Sequence, residues 1–243
     1  METVLEVKNL KKRFGKIKAV DGISFEVGEN EIFGLLGPNG CGKTTTQRML
    51  CTVLDSTSGK IKYFGKSIQS ENIQNIRRLI GYVPQGECLY GDLTIVENLR
   101  FFAKPYQLGS KKTELRIKEL LELLSLEDRK SELVKNLSGG LNKRASIAAA
   151  LIHEPKILFL DEVTMGLDPN SRYHIWNLIR ELKKHATIII TTHYMDEAED
   201  LCDRIAILSK GKIMDLDSPV DIIKKYEAHD LNEVIGKIIE EEK

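Results

Sequence analysis

The sequence predicts an α/β fold: a mostly parallel sheet flanked by helices, with an N-terminal antiparallel β portion and an inserted α-helical subdomain. Three observations predict it. First, "EIFGLLG" (31–37), "KILFLDE" (156–162) and "ATIIITTH" (186–193) are short, almost continuously apolar runs, as strands buried on both faces read. Second, the latter two follow helical stretches, and strands alternating with helices build a parallel sheet. Third, the middle of the chain changes period from two to 3.6.

The elements follow in order. "TVLEVKNL" and "ISFEV" alternate apolar and polar residues, which fits half-buried antiparallel strands before the first continuous run. Thr94 with Glu97 three residues on forms a capping-box pattern ahead of "IVENLRFFA". In "SKKTELRIKELLELLSL", Ile117, Leu120, Leu121 and Leu124 recur at i, i+3, i+4 and i+7, one helical face. Near the end, Asp230 and Glu233 are placed to cap a last helix whose Leu231, Val234, Ile235, Ile238 and Ile239 make a stripe, the pattern of a helix packed on the core. The 243 residues are thus expected to form a single domain: residues 1–89 and 156–218 as an α/β core, 90–155 as a helical subdomain, and 219–243 as a helical tail.

Composition narrows the function. Lys plus Arg and Asp plus Glu both number 36, so no net charge draws the chain to nucleic acid, and none is expected as a partner. Four cysteines, at 41, 51, 88 and 202, lie at neither Cys-x-x-Cys nor metal-ligand spacing and fit a reducing compartment. The longest stretch without Asp, Glu, Lys or Arg is 11 residues, against the roughly 20 a spanning helix needs. The N-terminal residues carry no basic-then-apolar leader pattern. Any membrane role is therefore expected to come through a partner.

The strongest motif is "GPNGCGKTT" (37–45), which fits G-x-x-x-x-G-K-[ST] through Gly37, Gly42, Lys43 and Thr44. Glycines let the backbone curl around phosphates with N–H groups inward, Lys43 neutralises the β- and γ-phosphates, and Thr44 offers its hydroxyl to Mg²⁺. A nucleoside triphosphate is the expected ligand, on a phosphate-loop NTPase type of sheet. Ligands of open parallel sheets bind at the carboxyl ends of strands. The three apolar runs end in this loop, in Asp161-Glu162 and in His193, so parallel alignment would gather all three on one rim. There Asp161 is placed to hold Mg²⁺ and Glu162 to polarise water toward the γ-phosphate. A second anion-binding pattern, "LSGGLNKR" (137–144), opens an alanine-rich helix, where free N–H groups and the helix dipole favour negative charge.

Taken together, "GPNGCGKTT", "LSGG", "ILFLDE", "GLDP" and "TTH", in this order and spacing, resemble the ATP-binding cassette ATPases, the nucleotide-binding subunits of ABC transporters. The resemblance runs from "LEVKNLKKRFG" to about residue 218. It implies two cassettes facing head to tail, with Ser138, Gly139 and Gly140 of one binding the γ-phosphate of ATP held by the other. It places Pro38, Asn39, Gly40, Cys41 and Thr45 with the phosphate loop and Phe14 as the aromatic stacked on adenine. Gln85 matches the glutamine that senses Mg²⁺ and the attacking water, Asp168 the aspartate that communicates across the dimer, and His193 the histidine contacting the γ-phosphate.

Four positions depart from the family pattern. Leu141 stands where glutamine usually follows "LSGG", Val163 where proline follows the acidic pair, Met165 where Ser or Asn precedes "GLD", and Asn30 where a turn glycine is usual. Asn tolerates the left-handed conformation, so Asn30 is expected to serve its turn; the other three lie in elements expected to face the partner.

The resemblance implies an ATP-hydrolysing subunit, requiring ATP and Mg²⁺, peripheral on the cytoplasmic face of the cell membrane and partnered by a second cassette, identical or not, and a separate permease. "PQGECLYGDLTIVENLRFF" looks most like subunits of drug, antibiotic or lipid exporters. The alternative is a soluble cassette ATPase of an assembly, repair or translation system. Translation-type members usually carry two cassettes per chain. Repair-type members separate their motifs by a long coiled coil, whereas Lys43 and Asp161 are 118 positions apart here.

Overall fold

In a computed structural model of the protein, which describes residues 2–68 and 73–241, two sheets share one face. The chain begins with β1 (Thr3–Phe14), β2 (Ile17–Gly28) and β3 (Ile32–Leu36), then α1 (Lys43–Leu50), β4 (Ser58–Tyr63), β5 (Lys66–Ser67), α2 (Ile73–Leu79) and β6 (Ile80–Val83). Three helices follow, α3 (Ile95–Ala103), α4 (Ser110–Leu123) and α5 (Gly139–Leu151). The chain then returns through β7 (Ile157–Asp161), α6 (Pro169–Leu182), β8 (Thr187–Thr192), α7 (Met195–Leu201), β9 (Arg204–Ser209) and β10 (Lys212–Asp217). It ends in α8 (Pro219–Lys225) and α9 (Leu231–Glu241).

The larger sheet has the order β10-β9-β3-β8-β7-β6, parallel except where β10 pairs antiparallel with β9. The smaller sheet, β2-β1-β4-β5, is antiparallel. Alternation explains why the central strands read as continuously apolar. Ile32 and Leu36 of β3, Leu158 and Leu160 of β7, and Ile188 and Ile190 of β8 face the helices. Phe33 and Leu35, Ile157 and Phe159, and Ile189 face the antiparallel sheet, where Phe25 of β2 stacks on Phe33 at 5.1 Å. With apolar layers on both sides, neither face can be polar.

The local signals hold. Thr94 accepts from the Glu97 N–H and Glu97 from the Thr94 N–H, closing the capping box of α3. Ile117, Leu120, Leu121 and Leu124 are buried. Asp230 caps α9 by accepting from the Glu233 N–H at 2.9 Å, and Leu231, Val234, Ile235 and Ile238 pack inward, while Ile239 remains exposed. Asn30 adopts φ 55°, the left-handed turn its side chain tolerates. The alternating runs seen in the sequence are fragments of strands 12 residues long, broken by register shifts that interrupt a clean period of two.

Candidate functional site

The order β3-β8-β7 makes the three strands with polar ends immediate neighbours, and their parallel alignment sets those ends on one rim. After β3 the chain turns through Gly37–Gly42 into α1. Gly42 has φ 110°, and a Cβ there would sit 2.5 Å from the Ala19 carbonyl oxygen of β2, a backbone atom that cannot yield. The loop therefore closes against β2 only with glycine at this position. Lys43 is buried and its Nζ donates to the carbonyls of Gly37 at 2.8 Å and Pro38 at 3.2 Å. Pro38, Asn39 and Gly40 are exposed, Thr44 and Thr45 half-buried, and Cys41 is turned inward, where burial pushes its thiol pKa up.

Asp161, at the end of β7, is fully buried, and its carboxylate accepts from three hydroxyls. Thr44 donates at 3.0 Å and Thr191 at 2.6 Å to Oδ1, and Tyr82 at 3.3 Å to Oδ2. Burial, and next the Asp161 charge, raise the Tyr82 phenol pKa, which keeps it a neutral donor. Glu162 follows with φ 46°, a left-handed backbone uncommon for such a side chain. Its N–H donates to Thr191 Oγ1 and to the Thr191 carbonyl, both at 3.1 Å, and these bonds hold the turn. The strained turn swings Glu162 toward the phosphate loop. Its Oε1 is 3.5 Å from Lys43 Nζ, and its Oε2 accepts from Gln85 Nε2 at 3.1 Å. His193 Nδ1 comes within 3.3 Å of the same oxygen but out of line for a hydrogen bond, and stays buried without a partner.

A cavity of about 300 Å³ lies between Ala19, the loop residues Asn39, Gly40 and Gly42–Thr45, and the side of Gln85, Glu162 and Met165. The residues fit a triphosphate with its metal. Gly40 and Gly42 line the cavity without side chains, an ammonium stands at it, and Thr44 and Asp161 supply hard oxygen donors side by side, as Mg²⁺ prefers. Phe14 lies outside the cavity lining, 49% exposed at the end of the β1–β2 hairpin with Lys12 over its ring.

Ser138, Gly139 and Gly140 do not border this cavity. Ser138 caps α5, its Oγ accepting from the Leu141 N–H at 3.4 Å. Asp168 caps α6 through the Ser171 N–H at 3.0 Å. The two caps touch: a Cβ on Gly140 would lie 2.9 Å from Ser171 Oγ, and one on Gly139 3.2 Å from Leu167. Of the departing residues, Val163 is buried in the core, because the turn at Glu162 directs the next side chain inward. Leu141 packs partly on the same core. Met165 is exposed, and its Sδ receives Gln85 Nε2 at 3.2 Å.

Sequence reasoning did not single out Tyr82 and Thr191, which fix Asp161, or Lys143, whose Nζ donates to the Gln85 carbonyl at 2.7 Å. Thr191 stood in the quoted "TTH", its hydroxyl the available signal. Tyr82 and Lys143 act through tertiary contacts that no local pattern records.

A parallel sheet with a lysine-bearing glycine loop, a buried carboxylate beside the loop threonine and an adjacent glutamate defines a phosphate-loop nucleotide-binding protein. Comparison with known proteins carries this further. The family described as ABC transporter matches residues 20–165. The chain is 42% identical over 230 residues to the probable multidrug ABC transporter ATP-binding protein YbhF of Escherichia coli, covering 94% of this chain and 39% of that protein. It therefore spans well under half the length of that relative. It is 41% identical to the linearmycin resistance ATP-binding protein LnrL of Bacillus subtilis, covering 91% of this chain and 71% of the other. The solved structure of an ATP-binding subunit of an ABC transporter superposes with a TM-score of 0.86 at 30% identity, over 97% of this chain and 99% of that one. The chain belongs to the ABC transporter family, as an ATP-binding cassette.

Proposed function

We propose that this chain is the ATP-hydrolysing subunit of a membrane exporter, driven by ATP-dependent closure against a second cassette. One observation carries the reading. The chain holds a nearly complete triphosphate site at the β3-β8-β7 rim, and a second anion-binding helix start at Ser138 that this site does not use. Two incomplete half-sites on one chain complete each other in a closed two-fold pair.

Within its own site, Gly37–Thr45 would wrap the phosphates, Lys43 would exchange its backbone carbonyl partners for phosphate oxygens, and Phe14 would reach the adenine. Thr44 and Asp161 would hold Mg²⁺, with Gln85 at its edge; when bound, the ion neutralises charge on the phosphate oxygens. Glu162 orients and deprotonates the attacking water, and His193 meets the γ-phosphate. Ser138, Gly139 and Gly140 would reach the γ-phosphate of the partner's ATP, with Asp168 beside that seam. Loss of the shared γ-phosphate then releases the seam.

The division into an α/β core at 1–89 and 156–218, a helical subdomain at 90–155 and a tail at 219–243 agrees with helices α3, α4 and α5 lying between β6 and β7. A cleft of about 290 Å³ opens beside the Gln85 loop, lined by Val53, Cys88, Phe102 and Tyr106 among others, with Tyr90 and Phe101 exposed nearby. It suits apolar side chains of a permease helix. No helix among the described residues is long and apolar enough to cross a membrane, so a peripheral place on the cytoplasmic face through a separate permease fits. The relatives' multidrug and linearmycin-resistance names favour an exporter.

Two measurements test this. Stalled Glu162→Gln protein should double its mass with Mg²⁺ and ATP and revert on their removal; a mass that never changes overturns closure between copies and leaves an unlike cassette as partner. Affinity purification from gently solubilised cells should bring down a polytopic membrane protein. Recovery with only soluble partners overturns the exporter.

A further inference from the structure

Gln85 is held at both ends. Its side chain is shared between Glu162 and Met165, and its carbonyl accepts from Lys143 Nζ at 2.7 Å. Lys143 belongs to α5, one turn beyond Gly139 and five residues from Ser138, so the cation that grips the Gln85 loop rides on the helix that begins at the second anion site. Among the described residues, no other hydrogen bond reaches the backbone between Gln85 and Leu89. The next residue, Arg144, donates instead to the Leu124 and Ser125 carbonyls and anchors α5 to the end of α4. Adjacent cations thus face opposite ways, one into the helical layer and one toward the catalytic rim.

We propose that Lys143 is a positioning residue that ties the Gln85 loop to α5, so that engagement of a second cassette's ATP at Ser138–Gly140 fixes Gln85 against this chain's own Glu162. The inference rests on the reading above, in which Gln85 serves hydrolysis and Ser138 meets a partner. A hydrogen bond from a charged donor is about twice as strong as a neutral one, and partial desolvation strengthens it. Lys143 is half-buried with the acidic Asp161 and Glu87 near it, and burial lowers its pKa, the mark of an ammonium taken partly out of water. A helix whose adjacent Lys143 and Arg144 grip the Gln85 loop and the end of α4 transmits a small shift better than a loop does. In the open state the link holds Gln85 by its backbone; in the closed state it moves Gln85 with α5.

The test uses the full chain as Lys143→Met, which keeps the aliphatic stem and removes the donor, and Lys143→Arg, which keeps a cationic donor. Of the four cysteines only Cys88, three residues past Gln85, is not buried, so a nitroxide on Cys88 reports on the loop without further change. In nucleotide-free protein, Lys143→Met should narrow the spin-label spectrum toward fast motion, and Lys143→Arg should restore the parent line shape. In steady-state hydrolysis, Lys143→Met should lower kcat about tenfold with KM for ATP changed less than about twofold, and Lys143→Arg should recover most of kcat. Parent-like loop motion in Lys143→Met overturns the tether. Equal loss of kcat in both variants also overturns it, because packing rather than the donor would then be at fault. If the parent chain itself turns over no ATP, the proposed function falls, while the spin-label comparison, which needs no nucleotide, still decides the tether.

Discussion

Glu162→Gln separates the chemistry of this site from its architecture. The substitution keeps size but removes the charge and turns one of two accepting oxygens into a donating amide NH2, leaving one acceptor for Lys43 or Gln85. At 3.5 Å from Lys43, with an effective dielectric of about 20, the gross attraction is about 5 kcal/mol. Desolvating two buried charges costs several kcal/mol per ion, which offsets most of it. Lys43 also keeps the Gly37 and Pro38 carbonyls, so no ammonium is stranded. The net loss should be about 0–2 kcal/mol, or roughly 0–8 °C in Tm for a chain of this size. Hydrolysis should fall about 100- to 10,000-fold, equivalent to about 2.7–5.5 kcal/mol of barrier, because a neutral amide cannot take the proton. Phosphate release at saturating Mg²⁺ and ATP, nucleotide titration and thermal melting on the same preparation measure all three. Turnover within tenfold of the parent would refute Glu162 as the base. A Tm lowered by more than about 15 °C would refute the balance of charge and desolvation.

Further tests reach the surrounding structure. Leu120→Ala in α4 should cost about 2–5 kcal/mol, since Leu120 is fully buried, and urea midpoints will show it. Gly140→Ala should leave ATP binding intact but lower hydrolysis at least about tenfold by pushing on Ser171, and Ser171→Gly in the same chain should recover part of it; no recovery would show that the contact is incidental. Asp168 has its carboxyl pKa lowered, first by the Ser171 hydroxyl and then by the Ser171 N–H. A depressed folded pKa stabilises above the unfolded carboxylate value, near 4, and that stability is lost as pH falls through the lower folded value. The gap in urea midpoint between parent and Asp168→Ala should therefore be full at pH 7 and narrow toward pH 3; a gap that widened on acidification would contradict the cap.

The rim of the site was legible because each of its parts is a strand end. Continuous apolar runs announce strands buried on both faces, and whatever polar group follows such a run falls at the carboxyl edge. Gly37–Thr45, Asp161, Glu162 and His193 needed no more than that. The left-handed turn at Glu162 was not legible, because glutamate gives no sign of a positive φ; only the bonds to Thr191 force it. Nor was the inward path of Val163, which follows from that turn. Strands β4, β5, β6, β9 and β10 escaped notice: β5 and β6 are very short, β4 and β10 are mixed in polarity, and the apolar β9 ends in no motif. Lys143 was visible only as a basic residue after a glycine pair, since the carbonyl it serves lies 58 residues away.

The two neighbouring helix starts show why one of them is free for a foreign anion. Both α5 and α6 begin at capped N-termini whose first turns approach each other at Gly140 and Ser171, so two positive helix ends lie side by side. In α6 the cap is Asp168, a carboxylate that satisfies the N–H groups and neutralises the dipole locally. In α5 the cap is Ser138, an uncharged hydroxyl with a long 3.4 Å bond, and the first turn carries no acidic residue. The positive potential of the pair is therefore cancelled at one end and left open at the other. On the proposed reading, a phosphate on this surface would meet the α5 end, where two glycines leave the backbone open to close approach, and would be disfavoured at the α6 end by Asp168. On the same reading, that difference of one cap residue would set the direction in which a second cassette faces.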